Sequence, residues 1–428
     1  MSSRVLRFLP LGPTALALTF TLAALPLTTR AQAPLAPSAP ALLDAVTRAP
    51  QLAAAAKRID AARARTESSG RLADPEVEAM RSRVNDPMGD NRTMWEFAVR
   101  QPLPKRGERA ADRERALAVV TMAEADYAML AGDVAADVAM ALAEADGADA
   151  RAALLTTQLA RLDAALATVQ SRLASGVTTR LADRLTIQSR VASLQLQLEQ
   201  TQRTAADSRA IARGRLGLAP DAPLPVFSAP AATEINPADA ATVAVATARI
   251  AEANAMGQMA RASANPMTSV GLRLGRERTS MGNEDTIGFA VSSEIPWRNR
   301  RYARAEVRAA EADRAAATAE ATAARHRISS TLARVERAER LAATARRLAA
   351  DTQTRLDAEH EALTRSLSVT GMGAGESAVL HAIDILEKST ETQLQIIEAE
   401  TSARASRAEL WRYLPPAKLL SPSLSSQL

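Results

Sequence analysis

Residues 155–173 read LTTQLARLDAALATVQSRL, with apolar side chains at Leu155, Leu159, Leu162, Leu166, Val169 and Leu173. The steps alternate between four and three, which is the seam of a coiled coil. Upstream the seam continues through Tyr127, Leu130, Val134, Val138, Ala141 and Ala145, and no proline interrupts Gly107 to Ser175. The pattern predicts one α-helix over that whole stretch, about 100 Å long at 1.5 Å per residue. A compact domain cannot bury such a helix, so the sequence predicts an elongated architecture.

The composition agrees with long helices. The chain has 428 residues, 3% aromatics and no cysteine. That excludes a disulfide framework and thiolate metal sites. The formal charge is +5, and three of those charges (Arg4, Arg7 and Arg30) lie in the N-terminal leader. The remaining charges are interspersed, as on solvated helix faces, and no nucleic-acid footprint is expected.

Arg4 and Arg7 precede the apolar run Leu11 to Leu27, followed by Ala31-Gln32-Ala33. This is a basic n-region, an h-region and a small-x-small site, expected as a cleaved signal peptide over residues 1–33. The run is short for a spanning helix and is broken by Pro13 and Pro26. No later stretch has enough consecutive apolar residues to cross a bilayer as a helix, so any membrane span of an exported product must be β.

The rest of the chain repeats itself. Ala41 to Gly70 reads as one Ala-rich helix ended by glycine. Strands are expected at about 76–84 and 93–101, the second with Trp95, Phe97 and Val99 on one face. A helical hairpin then runs over 107–216, turning at Ala174-Ser175-Gly176-Val177. The first repeat is thus 34–218, followed by a Pro/Ala-rich linker at 219–236. The second repeat is 237–414. It has strands at about 268–276 (Val270, Leu272, Leu274) and 286–293 (Ile287, Phe289, Val291). Its helical hairpin, 298–413, turns at Gly371 to Gly375, and a tail spans 415–428. Phe97-Ala98-Val99 matches Phe289-Ala290-Val291, and Pro104 matches Pro296, at one constant offset.

Four strands of about nine residues suit an outer membrane. Three of them are apolar on one face and small or polar on the other, as a lipid face and a lumen face would be; the alternation of 76–84 is poor. Four strands cannot close a barrel, and an open edge in lipid leaves backbone groups unpaired. Several copies must therefore share one barrel, and three would supply twelve strands. The competing reading is a soluble periplasmic coiled-coil adaptor or scaffold. An adaptor would show one helical hairpin between β-rich domains rather than two.

The chain resembles the TolC family of outer-membrane efflux channels over residues 41–414. The resemblance rests on the repeat order, on Ala49-Pro50-Gln51-Leu52, on Gln101-Pro102-Leu103-Pro104-Lys105-Arg106-Gly107, and on Glu294-Ile295-Pro296-Trp297-Arg298-Asn299-Arg300 at the equivalent site. It implies a mainly α fold of two tandem repeats of helix, β-hairpin, long helix and helix. The expected assembly is a homotrimer with a trimeric α-helical barrel and a shared 12-stranded transmembrane β-barrel, set in outer-membrane lipid of a Gram-negative bacterium with a long periplasmic extension. It further implies a passive exit duct rather than an enzyme, with no cofactor. The expected partners are a periplasmic adaptor (membrane fusion) protein and an inner-membrane pump of the RND or another type. The strand-to-helix segments resemble the heavy-metal cation (Czc-type) branch. Drug efflux and type I secretion are the alternatives within the family.

The resemblance implies a pore gate near the second tip. There the family carries two acids three residues apart, and here His381 and Asp384 stand in their place. Residues at that spacing share a helix face. In a trimer they would form rings, the acid favouring cations and the histidine titrating near neutral pH. The same spacing also suits two solvated residues of a helix surface. The tips at Gly176, Val177, Thr178, Gly373 and Gly375 are where the family's adaptor docks, and ordinary glycine turns account for them equally. The three histidines, His326, His360 and His381, form no His-x-x-x-His pair, so no metal site is expected within one chain.

Overall fold

The computed structural model describes residues 39–84, 92–174, 181–226, 229–279, 282–294, 296–369 and 375–420. The expected leader and the tip residues Gly176, Val177, Thr178 and Gly373 lie outside them. Eight helices and four strands follow in order among the described residues. They are α1 (Ala39–Thr47), α2 (Pro50–Ser68), β1 (Glu76–Val84), β2 (Arg92–Leu103), α3 (Glu108–Ala174), α4 (Leu181–Leu216), α5 (Ala241–Ser263), β3 (Met267–Thr279), β4 (Gly282–Glu294), α6 (Asn299–Val369), α7 (Gly375–Ala408) and α8 (Pro416–Leu419). The fold is mainly α with one small antiparallel sheet, and each half contributes helix, β-hairpin, long helix and returning helix.

The heptad is visible in what each long helix buries. In α3, Tyr127, Val134, Ala141, Ala148, Leu155, Leu162 and Val169 are all buried at intervals of seven. In α6 the buried positions are Ala303, Ala310 and Ala317, then Ala321, Ile328, Val335, Ala342, Ala349 and Leu356. The single step of four between Ala317 and Ala321 is a stutter, which locally unwinds a coiled-coil seam. Leu341 and Leu348 are exposed, because the neighbouring Ala342 and Ala349 take the buried positions.

Two compact units are distinguished. The first contains residues 144–208 and 338–403. Its core is Leu162, Ala165, Val169, Ile187 and Ile383. Gly147 brings two helices close: a Cβ there would stand 2.2 Å from Thr401 Oγ1 and 2.9 Å from Thr401 Cβ. Gly147→Ala is expected to destabilise this unit by about 1–3 kcal/mol, as overpacking does. Thr401→Ala removes the two nearest atoms, so the double variant should recover part of that loss in thermal melts. Simple additivity would remove the contact from the account.

The second unit contains residues 38–143, 209–337 and 404–428. Its core gathers Leu42, Val46, Leu52 and Ile59 against Ala128, Ala131, Ala135 and Ala139 of α3, together with Leu410, Trp411 and Leu419. The single helix expected over 41–70 is two, because Pro50 lacks an N–H to continue α1 and instead opens α2. Gly70 ends α2 with φ +61°, donates its N–H to Asp112 (2.7 Å) and accepts from Arg109 Nε (2.7 Å). The linker and the tail both carry local structure. Residues 232–234 form a 3-10 turn, Glu234 pairs with Lys418 at 2.8 Å, and Leu419 is buried. Lysine bonding holds the Glu234 carboxyl below its ordinary range.

The four strands form one sheet in the order β1-β2-β3-β4, all antiparallel. β2 and β3 join the two halves, with Thr93 opposite Arg278 and Leu103 opposite Thr268. β3 and β4 each have 13 residues, longer than their apolar alternation. Polar cross-strand pairs extend them: Arg276 makes two bonds to Asp285, at 2.7 and 2.9 Å.

Candidate functional site

The strand period of two and the observed register sort the sheet into two faces. On one face the residues align in rows across the strands. Val77, Val99, Leu272 and Phe289 make one row, and Ala79, Phe97, Leu274 and Ile287 the next. Val270 and Val291 lie on the helix side of these rows, paired with each other. This face is open: Ile287 is 76% exposed, Phe289 74% and Val291 62%. Soluble monomers rarely leave so continuous an apolar surface uncovered. Tryptophans flank it, Trp95 toward the hairpin turns and Trp297, 85% exposed, just after β4.

The opposite face carries Gly271, Gly275, Gly288, Ala98 and Ala290 among charged residues. Glu76, Glu78, Glu96, Glu277, Glu284 and Glu294 outnumber Arg92, Arg100 and Arg273 there. Arg273 bonds Glu96 at 2.6 Å. A Cβ on Gly271 would meet the Val99 carbonyl oxygen at 2.9 Å, so the small residue there also serves strand pairing. β1 pairs only with β2 and β4 only with β3, so both outer edges of the sheet lack a partner among the described residues.

Helix α7, which opens at Gly375, carries His381 and Asp384 on one face. Neither stands alone. His381 Nε2 lies 3.3 Å from Glu359 Oε1 of α6, and Asp384 accepts from Lys388 Nζ at 2.9 Å. One turn on, Glu387 pairs with Arg190 of α4 at 3.0 Å. The Lys388 bond holds the Asp384 carboxyl below its usual range, with His381 and Arg190 adding to it. Burial pushes the Glu387 carboxyl up against the pull of Arg190. A carboxyl depressed in the folded protein stabilises above its unfolded pKa, and that contribution is lost as pH falls through the folded value. Lys388→Met is therefore expected to move Asp384 titration to higher pH. The check is the carboxylate infrared band, assigned by subtracting an Asp384→Asn spectrum.

Sequence reasoning named His381 and Asp384 but missed Glu359, Lys388, Glu387 and Arg190. The Asp384-Lys388 spacing of four was itself a readable ion-pair signal. Among the described residues no group of three or more His, Asp or Glu side chains could hold a metal ion, and no helix is long and apolar enough to cross a membrane.

A family model described as "Outer membrane efflux protein" matches residues 42–215. No curated protein matches the chain. Among solved structures it is similar to a membrane protein from Pseudomonas aeruginosa, with 19% identity, a TM-score of 0.66, and 87% of this chain and 92% of that chain covered. It is similar to the outer membrane protein VceC from Vibrio cholerae, with 15% identity, a TM-score of 0.66, and coverage of 87% and 94%. The open MtrE outer membrane channel of Neisseria gonorrhoeae shares 18% identity, a TM-score of 0.63, and coverage of 88% and 88%. At these identities the likeness is one of fold.

Proposed function

We propose that the chain is the outer-membrane exit duct of a tripartite efflux system, a reading supported by the match of residues 42–215 to the outer membrane efflux protein model. The observation that carries this reading is the sheet: four strands, two edges unpaired among the described residues, and an exposed apolar face flanked by tryptophans. In lipid every backbone group needs a partner, so β4 of one copy must pair with β1 of the next. Three copies close a twelve-stranded barrel. Trp95, Phe97, Val99, Val270, Leu272, Leu274, Ile287, Phe289 and Val291 then face lipid. Exposed Leu185, Leu196, Leu341 and Leu348 on the long helices supply apolar surface for the same assembly.

The duct is passive, driven by an inner-membrane pump, of the RND or another type, through a periplasmic adaptor that docks at the two helical tips. His381 and Asp384 stand near the second tip as gate residues, restrained by Glu359 and Lys388. The excess of glutamate on the inner sheet face favours cations, in keeping with a metal-cation cargo. The testing experiment separates outer from inner membranes, measures detergent-solubilised mass by light scattering, and records conductance in planar bilayers. An outer-membrane trimer with cation-preferring conductance, raised in Asp384→Ala, is expected. A monomer soluble without detergent overturns the reading.

A further inference from the structure

The apolar face of the sheet ends abruptly toward the hairpin turns. The next row holds Arg81, Trp95, Arg276 and Asp285, and the row after it Arg83, Thr93, Arg278 and Asn283. Four arginines and one acid thus occupy the turn-side rim of the face that bears Phe97, Leu274 and Ile287. The glutamates of all four strands point to the other face. The segregation is not a by-product of strand ends, because Glu277 and Glu284 sit at the same height on the opposite face.

Two of the arginines are held in place. The Arg81 guanidinium lies 4.7 Å from the Trp95 ring centroid, and Arg276 is fixed by its two bonds to Asp285. The other two, Arg83 and Arg278, are exposed and have no ion-pair partner among the described residues. A guanidinium beside an apolar band extends its stem over that band and presents its donor fork to the headgroup layer. The fork matches phosphate oxygens two at a time, which a lysine cannot do.

We infer that this rim binds the phosphate groups of a bisphosphorylated glycolipid in the outer leaflet, with Arg83 and Arg278 as the phosphate ligands and Arg81 on Trp95 as the fixed platform beside them. The inference rests on the outer-membrane reading above and adds the lipid it selects. Charge complementarity carries it: the net positive rim lies only on the side that would meet lipid, next to the apolar rows.

The test uses the purified full chain in detergent, titrated with the bisphosphorylated glycolipid and followed by native mass spectrometry. The same lipid stripped of phosphate, and phosphatidylglycerol, are the comparison probes. Binding to the bisphosphorylated lipid is expected to exceed both. The Arg83→Gln/Arg278→Gln variant is expected to weaken it about tenfold or more. The Arg83→Lys/Arg278→Lys variant should keep the charge and lose the preference over phosphatidylglycerol. Unchanged oligomeric mass and circular dichroism establish that each variant is folded. Equal binding by the glutamine variant, by the stripped lipid or by phosphatidylglycerol overturns the inference. Membrane fractionation separates the two failures. Wild-type protein absent from the outer membrane overturns the parent reading. Wild-type protein present there with an indifferent variant overturns this inference alone.

Discussion

A Phe289→Arg chain is expected to disappear from the outer-membrane fraction as an assembled trimer. Phe289 is 74% exposed in the middle of the apolar face, in one row with Val77, Val99 and Leu272. A guanidinium at mid-bilayer costs about 2–4 kcal/mol per copy, and a trimer carries three. The control is the adjacent residue. Gly288 points to the opposite face, and a Cβ built there meets nothing within 4 Å. Gly288→Arg adds the same charge and should leave assembly intact while lowering cation conductance. Blue native gels of detergent extracts read both. Equal loss in the two variants would show that the faces are not distinguished by lipid.

The second large effect is expected at Gly132. A Cβ there would stand 2.8 Å from the Trp411 carbonyl oxygen and 3.2 Å from Arg412 Cα, both main-chain atoms of the 3-10 turn Glu409–Tyr413. No rotamer change relieves such a clash. The turn seats Leu410 and Trp411 in the core and sends Arg412 to Asp137 at 2.7 Å and to Asp133 at 3.4 Å. Gly132→Val should displace it and cost about 2–4 kcal/mol, seen as a lowered melting temperature. Gly257→Ala makes the contrast. Its Cβ would meet Ala310 Cβ at 3.5 Å, an ordinary contact, so it should be neutral or stabilising by up to about 1 kcal/mol.

What the sequence disclosed follows its periodicities. The seven-residue spacing of Tyr127, Val134, Leu155, Leu162 and Val169 is a local repeat, and local repeats survive without knowledge of partners. The strand centres at Phe97, Leu272 and Phe289 were legible for the same reason. The strand ends were not. Beyond the expected end of the strand at Arg276, Glu277, Glu284 and Asp285 look like polar connecting residues, yet Asp285 pairs with Arg276 across the ladder, which only the register reveals. The break before Pro50 was legible from proline chemistry and passed over. The docking of Leu419 into the core depends on a distant surface that no local pattern encodes. Around the second tip, Lys388 could be found four residues from Asp384. Glu359 could not, because its approach to His381 depends on the register of a helical hairpin.

The pairing of β2 with β3 sets the order in which this chain can mature. Thr93 must find Arg278 across the whole of α3, α4 and α5. Closing so long a loop is slow and comes after local helix formation. Until then the first half holds only a two-stranded ribbon, which has marginal stability on its own. The sheet is therefore a late checkpoint: a chain interrupted before residue 279 has helices but lacks the completed apolar surface. Immature chains are thereby kept from offering that surface before both halves have been delivered.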